Sequence, residues 1–197
     1  RGAEVALHQN EILCLLGGNG TGKTTLLKVL SGVQKPYRGK VKLQKGAKLC
    51  MLPQMVASLF VTDNVKDELL ESADLSGGEA QRLAIGKLLL RDANALLLDE
   101  PTKGLDAYAK QNLAQIIKKL AAEGAAILIV THDVEFAAQY ATRCALMFDG
   151  MLLSGDEPHA FFAGNRFYTT DANRIASNYL PQAITCEEVI AACKDSL

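Results

Sequence analysis

The sequence predicts an α/β fold in which helices flank a mostly parallel β-sheet. Three observations support this prediction. An apolar run, Ile12 to Leu16, passes through a glycine-rich turn directly into a helical pattern that begins near Lys23. Two further apolar runs, at 95–98 and 125–130, lack the polar alternation of half-exposed strands, which indicates strands covered on both faces. Helical patterns separate these runs, and strands that alternate with helices favour a parallel sheet.

Composition limits the class of protein. The chain has 197 residues, of which 49% are hydrophobic, so it can bury a large core. Its net charge of −1 gives no sign of a nucleic-acid partner, and no apolar run is long enough to span a bilayer. The five cysteines are scattered without a C-x-x-C pair, which is typical of reduced thiols in a cytoplasmic protein. Cys14 and Cys144 lie in apolar runs, where core packing is their expected role.

The elements follow in order along the chain. Short strands are predicted at 3–8, 11–16, 40–44 and 47–52, with a small antiparallel sheet in this N-terminal part. The central and C-terminal elements are then helices at 62–70 and 76–91, a strand at 95–100, a helix from Asp106 to Gly124, a strand at 125–130, a helix at 134–141, strands at 144–148 and 151–153 joined by Asp149–Gly150, and a mixed helical segment from Asp156 onward.

The glycine-rich turn carries the first functional signal. It reads GGNGTGKTT from Gly17 to Thr25 and matches G-x-x-x-x-G-K-[ST], the phosphate-binding loop. Glycines let backbone N–H groups converge on a phosphate, and the following helix directs its positive dipole end at the same point. We expect Lys23 to reach the β- and γ-phosphates and Thr24 to bind Mg²⁺ through its hydroxyl. The sequence therefore predicts a P-loop nucleoside triphosphatase fold.

Four more features bear on the reaction, since the loop alone also allows a small-molecule kinase, a G protein or a motor. Asp99 ends a buried strand, the Walker B arrangement, and its carboxylate would support Mg²⁺. Glu100 follows at once and could polarise an attacking water. His132 stands at the end of a neighbouring strand, where a γ-phosphate contact is expected, and LSGGE at 75–79 opens a helix whose free N–H groups suit an anion.

Taken together, these motifs resemble those of ATP-binding-cassette (ABC) ATPases. The resemblance rests on GGNGTGKTT, LPQ with Gln54, LSGGEAQR at 75–82, LLLDEPT at 96–102, GLD at 104–106 and THD at 131–133, all in the family's order. It implies an ATPase nucleotide-binding domain over residues 1–155, with a helical subdomain remnant at about 55–75, and a C-terminal helical extension over 156–197. It also implies a head-to-tail dimer in which each ATP lies between one subunit's phosphate loop and the other's LSGGE.

The resemblance assigns a role to each matching residue. Glu100 is the general base, His132 steadies the γ-phosphate and the attacking water, and Gln54 reaches Mg²⁺ and that water. Asp99 supports the metal together with Thr24 and Gln54, Lys23 is also catalytic, and Asp106 lies at the dimer contact. The residues implied to bind ATP are Gly17, Asn19, Gly20, Gly22, Lys23, Thr24 and Thr25, with Ser76, Gly77 and Gly78 acting on the opposite subunit's γ-phosphate.

The tail carries a finer resemblance. PTKGLDA and the segment from Gly155 to Ala176 are similar to the ATPases of energy-coupling-factor importers, above all the C-terminal cassette of duplicated chains. That class takes up vitamins, their precursors or metal ions. It implies transmembrane partner subunits, a peripheral position on the cytoplasmic side of the cell membrane, and no nucleic-acid partner. Arg166, Phe167 and Tyr168 are interface candidates. The alternative is a soluble ABC ATPase that acts on DNA or ribosomes.

The sequence departs from the family in two places. The interval from Gln54 to Ser76 has room for about one helix, whereas the family's helical subdomain has several. Either that subdomain is truncated, or residues are missing between Leu70 and Leu75 and the numbering continues across the gap. We expect the second. The family also stacks adenine on an aromatic residue before its first strands. No aromatic residue precedes Tyr37 here, so the stacking residue is upstream of Arg1 or absent.

Overall fold

A computed structural model describes residues 4–54, 85, 92–163, 165 and 168–194. The elements formed within these ranges are β1 (Ile12–Leu16), α1 (Lys23–Leu30), β2 (Leu49–Leu52), β3 (Ala95–Asp99), α2 (Ala107–Ala122), β4 (Ala126–Val130), α3 (Val134–Tyr140), β5 (Arg143–Phe148), β6 (Met151–Asp156), α4 (Pro158–Ala163), α5 (Asp171–Ala176) and α6 (Cys186–Lys194). The helices predicted at 62–70 and 76–91 lie outside the described residues, apart from Ile85, which is helical and buried.

The strands form one sheet in the order β2-β3-β4-β1-β5-β6. All neighbours are parallel except β5 and β6, which form an antiparallel hairpin at one edge. Asp149 and Gly150 join that hairpin with φ values of 46° and 71°, which suits a tight two-residue turn. The predicted α/β fold with a mostly parallel sheet is therefore confirmed.

Alternate residues of β1 serve the two faces of the sheet. Ile12, Cys14 and Leu16 join one core cluster, whereas Leu13 and Leu15 join the other. Helices α2, α3 and α4 supply side chains to the first cluster, and Leu27 of α1 belongs to the second. Every residue of β1 and β4 is buried, because helices cover both faces of these central strands.

The predicted small antiparallel N-terminal sheet is wrong for the described residues. Segments 4–8 and 40–44 contain no strand, although 40–44 alternates polar and apolar residues. Val5 and Leu7 pack against the second core cluster, but Val41 and Leu43 are 37% and 57% exposed. Alternation alone does not form a strand, because a strand also needs a hydrogen-bonded neighbour and a surface to cover one face.

The C-terminal extension contributes to the first core cluster. Phe161, Phe162 and Ile184 are buried in the same cluster as Ile12 and Leu16 of β1. The two phenylalanine rings make an edge-on contact with centroids 4.9 Å apart. The predicted domain boundary at residue 155 stays a prediction. Because Phe161 and Phe162 share a core with β1, replacing a buried side chain of residues 156–163 should lower the stability of the protein.

Phe162→Ala should destabilise the protein by about 3–5 kcal/mol, because Phe162 is fully buried and its removal leaves a cavity. Ile175→Ala on α5 is the matched control, since Ile175 is 82% exposed and its truncation should change stability by less than about 0.5 kcal/mol. Urea unfolding of both variants measures the difference. Equal unfolding midpoints would show that α4 does not belong to the core.

The buried thiols should be chemically inert. Cys14 of β1 and Cys144 of β5 are neighbours in the sheet register and fully buried. Burial raises the pKa of Cys144 to about 12, and burial also raises the pKa of Cys14 well above its usual range. At pH 8 iodoacetamide should therefore modify the exposed Cys186 and leave Cys14 and Cys144 unmodified until denaturant is added. Peptide mass spectrometry checks this, and rapid labelling of Cys144 in the folded protein would contradict it.

Candidate active site

A cleft of about 620 Å³ lies at the carboxyl-terminal edge of the sheet. β1, β3 and β4 end at this edge in Leu16, Asp99 and Val130, and each is followed by a predicted functional segment. Ligands of open parallel sheets bind beyond the carboxyl ends of the strands, where loops from neighbouring strands meet. The residues that line the cleft are Gly17, Gly18, Asn19, Gly20, Gly22, Lys23, Thr24, Thr25, Gln54, Asp99, Glu100, Lys103, Val130, His132 and Tyr168.

The glycine loop is shaped by two backbone requirements. Gly17 has φ 148°, and a Cβ there would stand 2.4 Å from the carbonyl oxygen of Met147 on β5, so no other residue fits. Gly22 has φ 103° and directly precedes α1, which begins at Lys23. The loop therefore turns sharply out of β1 and leaves the first N–H groups of α1 facing the cleft, as an anion site requires.

Lys23 is buried at the base of the cleft. Its Nζ donates hydrogen bonds to the carbonyl oxygens of Gly17 at 2.7 Å and Gly18 at 2.9 Å, and the residue is only 7% exposed. The two hydrogen-bond acceptors are neutral carbonyls, so they hold the ammonium in place without neutralising its positive charge. That charge is suited to an anionic group of a ligand, since the loop amides point to the same space.

Thr24 and Asp99 meet in the same cleft. The Thr24 hydroxyl donates to Asp99 Oδ1 at 3.3 Å, and Asp99 is 2% exposed. Burial raises the pKa of Asp99 above its ordinary value, and the neighbouring Glu100 charge adds to this, while the Thr24 hydrogen bond and the charges of Lys23 and Lys28 oppose it. A hydroxyl beside one buried carboxylate fits Mg²⁺, which takes few protein oxygens and completes its shell with water and phosphate.

Glu100 adopts an unusual backbone conformation. Its φ is 49°, a left-handed value that costs free energy for a residue other than glycine, and such strain clusters at functional sites. The N–H of Glu100 donates to the carbonyl oxygen of Val130 at 2.8 Å, which ties the end of β3 to the end of β4. The turn directs the Glu100 carboxylate toward His132, with Oε2 at 2.8 Å from His132 Nδ1.

His132 is held by a short turn between β4 and α3. The N–H of Asp133 donates to Thr131 Oγ1 at 3.0 Å, and Asp133 caps α3 by accepting from the N–H of Phe136 at 3.0 Å. Lys110 of α2 pairs with Asp133 at 2.6 Å. The His132 side chain itself is 63% exposed and lines the cleft.

The cleft brings together most of the predicted site residues. Gln54 follows β2 and lines the cleft with the loop, Asp99, Glu100 and His132. Ser76, Gly77 and Gly78 lie outside the described residues, so their assignment stays a prediction. Asp106 caps α2 by accepting from the N–H of Ala109 at 2.7 Å, as expected, whereas its predicted dimer contact is not tested.

Sequence reasoning missed two cleft residues whose side chains carry hydrogen-bond donors. Lys103 lies three positions after Glu100, and its N–H donates to the Glu100 carbonyl at 3.1 Å. Lys103 lies close to Asp99 in the sequence, and this closeness could have identified it as a cleft residue. Tyr168 comes from the C-terminal extension, and the sequence predicted an interface role for it rather than a place in the cleft. Nothing in its local pattern points to the phosphate loop.

The family model described as ABC transporter matches residues 1–69 and 51–103, which together make up more than half of the chain. The chain belongs to the ABC transporter family. The two matched segments overlap at residues 51–69, which include the start of the short interval after Gln54. Family membership agrees with the phosphate loop, Asp99 and Glu100 meeting in one cleft.

Two curated relatives illustrate the similarity. A putative ABC transporter ATP-binding protein of Bacillus thuringiensis is 37% identical over 238 aligned positions, covering 100% of this chain and 43% of the relative. A putative HMP/thiamine import ATP-binding protein of Bacillus subtilis, YkoD, is 32% identical over 80% of this chain and 36% of its own length. The chain thus spans less than half the length of these relatives.

A solved structure supports the fold. The cbiO1 protein of Clostridium perfringens, described as part of the ABC transporter complex cbiONQ, matches with a TM-score of 0.73. The match covers 92% of this chain and 89% of that chain at 22% identity, so it shows a shared fold only. In the part of this ABC protein that the structure describes, no helix has the length and apolar character to cross a membrane.

Proposed function

We propose that this ABC protein hydrolyses ATP to ADP and phosphate as the ATP-binding subunit of an importer. One observation carries the proposal: Lys23, the Thr24–Asp99 pair and the Glu100–His132 pair surround a single cleft next to the glycine loop. This set of groups suits phosphoryl transfer to water, in which catalysis consists mainly of positioning and charge stabilisation.

The phosphate end of the cleft is supplied by backbone and by one cation. The loop from Gly17 to Thr25 directs N–H groups at the phosphates, and Lys23 neutralises charge on the β- and γ-phosphates. Thr24 and Asp99 would hold Mg²⁺, and Gln54, which lines the same cleft, would reach the ion as well. When bound there, Mg²⁺ would supply positive charge that offsets the negative charge of the phosphates.

Glu100 and His132 act on the attacking water. The Glu100 carboxylate accepts a proton from that water as its oxygen attacks the γ-phosphorus, and the bond to the β-phosphate oxygen breaks. His132 fixes the orientation of the carboxylate, because its ring lies 2.8 Å from Oε2 and its N–H lies 3.4 Å from the same atom. Both groups then lie on the γ-phosphate side of the cleft.

A second ATPase domain completes the site. In the proposed dimer, Ser76, Gly77 and Gly78 of one subunit contact the γ-phosphate held by the other, and Asp106 lies at the contact. Closing and opening of this dimer drives transmembrane partner subunits, so the protein lies peripherally on the cytoplasmic side of the membrane. The import relative from Bacillus subtilis supports the importer class, and we infer a vitamin, a vitamin precursor or a metal ion as cargo.

Purification of the full-length protein from detergent-solubilised membranes of its native host tests this function. We expect one or more membrane subunits to co-purify, identified by mass spectrometry, and the complex to hydrolyse ATP faster than the isolated ATPase. Recovery with DNA or with ribosomes in place of membrane subunits would contradict the importer and favour a soluble ABC ATPase.

A further inference from the structure

We propose that Tyr168 contacts the terminal phosphate of bound ATP, so that the C-terminal extension contributes a residue to the nucleotide site. The inference rests on the proposed function, since it assigns a further binding residue to the same cleft. It assigns the tyrosine hydroxyl as a hydrogen-bond donor to a γ-phosphate oxygen. Selectivity for the triphosphate over the diphosphate follows from this contact.

The position of the hydroxyl carries the proposal. Tyr168 lines the cleft, and its oxygen lies 3.7 Å from the point where a Cβ would stand on Gly18. The carbonyl of Gly18 accepts hydrogen bonds from Lys23 Nζ and from the Thr21 hydroxyl, both at 2.9 Å. The tyrosine oxygen therefore stands at the part of the loop where the Lys23 ammonium is anchored, which is the β/γ-phosphate end of the cleft.

The backbone that presents Tyr168 is held by a series of buried and part-buried hydrogen bonds. The N–H of Tyr168 donates to Asn165 Oδ1 at 3.0 Å, and the fully buried Thr170 caps α5 by accepting from the N–H of Asn173 at 3.1 Å. The Asn173 amide donates in turn to the carbonyl oxygens of Pro181 at 3.1 Å and Ala183 at 2.9 Å. Such a scaffold places the ring with little loss of entropy on binding.

One contact also ties this segment to the catalytic edge. The N–H of Asp171 donates to Glu135 Oε1 at 2.8 Å, and Glu135 lies in the first turn of α3. That helix begins two residues after His132, so α3 positions both His132 and the segment that carries Tyr168. His132 and Tyr168 thus line the same cleft, and α3 holds in place the segments that carry both of them.

The test compares Tyr168→Phe with Tyr179→Phe in the full-length protein. Phenylalanine keeps the ring and removes only the hydroxyl, and Tyr179 is a matched control because it is 89% exposed and outside the cleft. Calorimetric titration with Mg²⁺ and either the non-hydrolysable triphosphate AMP-PNP or ADP measures each affinity. We expect Tyr168→Phe to weaken AMP-PNP binding about tenfold, as for one hydrogen bond to a charged group, and to leave ADP binding within about twofold.

The outcomes separate the two proposals. Unchanged AMP-PNP affinity in Tyr168→Phe, while the wild type binds it, would overturn the inference and leave the proposed function intact. Equal losses for AMP-PNP and ADP would overturn the assignment to the terminal phosphate. A wild-type protein that binds neither nucleotide would overturn the proposed function itself. Selective loss for AMP-PNP in Tyr168→Phe alone supports the inference.

Discussion

Glu100→Gln is expected to lower the rate of ATP hydrolysis by about 10²–10⁴-fold while ATP continues to bind. Glutamine keeps the size of the side chain but cannot accept the proton of the attacking water. Its amide can still bond to His132, so the 2.8 Å contact between the two side chains is replaced rather than left empty. Nucleotide then stays bound and the proposed dimer stays closed, because hydrolysis no longer opens it.

Steady-state phosphate release by the intact complex measures this effect, and gel filtration with ATP measures the dimer. Glu123→Gln is the matched control, since Glu123 follows α2 on the surface with a side chain that is 59% exposed. Its hydrolysis rate should equal that of the wild type. Near-normal turnover by Glu100→Gln would show that Glu100 is not the general base. Catalysis would then not explain the strained backbone at this position.

Lys23→Ala is expected to weaken ATP binding by about 10²–10³-fold. The ammonium is the buried cation of the cleft, and each hydrogen bond to a charged phosphate group contributes about 1.5–3 kcal/mol. Alanine also leaves the carbonyl oxygens of Gly17 and Gly18 without their donor, which loosens the loop that holds the phosphates. Binding and hydrolysis should therefore both fall, in contrast to Glu100→Gln.

Titration with a fluorescent ATP analogue measures the affinity. Lys28→Ala is the matched control, because Lys28 lies on the same helix, is exposed and does not line the cleft. It should bind ATP within about threefold of the wild type, because its exposed charge acts on the cleft only through interactions that solvent and salt screen. ATP affinity of Lys23→Ala close to that of Lys28→Ala would contradict the phosphate-binding role of the loop.

The catalytic edge of the sheet could be predicted from the sequence because its signals are local. The strand, glycine loop and helix from Ile12 to Leu30 are contiguous, and each residue type has one backbone or phosphate role there. Asp99 and Glu100 directly follow an apolar strand, and parallel strands bring their carboxyl ends to one edge. Residues that directly follow these strands in the sequence therefore lie next to one another at the cleft.

Features that depend on distant contacts could not be predicted in this way. The positive φ of Glu100 follows from its hydrogen bond to Val130, and its bond to His132 joins residues 32 positions apart. The predicted strand at 40–44 had the right alternation, but no neighbouring strand pairs with it or with residues 4–8 in the described part of the chain. The place of Tyr168 beside Gly18 depends on how α3 and α5 pack, which no local pattern encodes.

The central claim is that the loop from Gly17 to Thr25, Asp99 and Glu100 form one ATP site. A crystal structure of Glu100→Gln grown with millimolar ATP and Mg²⁺ tests it most directly. We predict triphosphate on the backbone amides of the loop, with the metal between Thr24 and Asp99 and the γ-phosphate facing residue 100. A cleft that stays without nucleotide under these conditions, or nucleotide bound at another surface, would contradict the account.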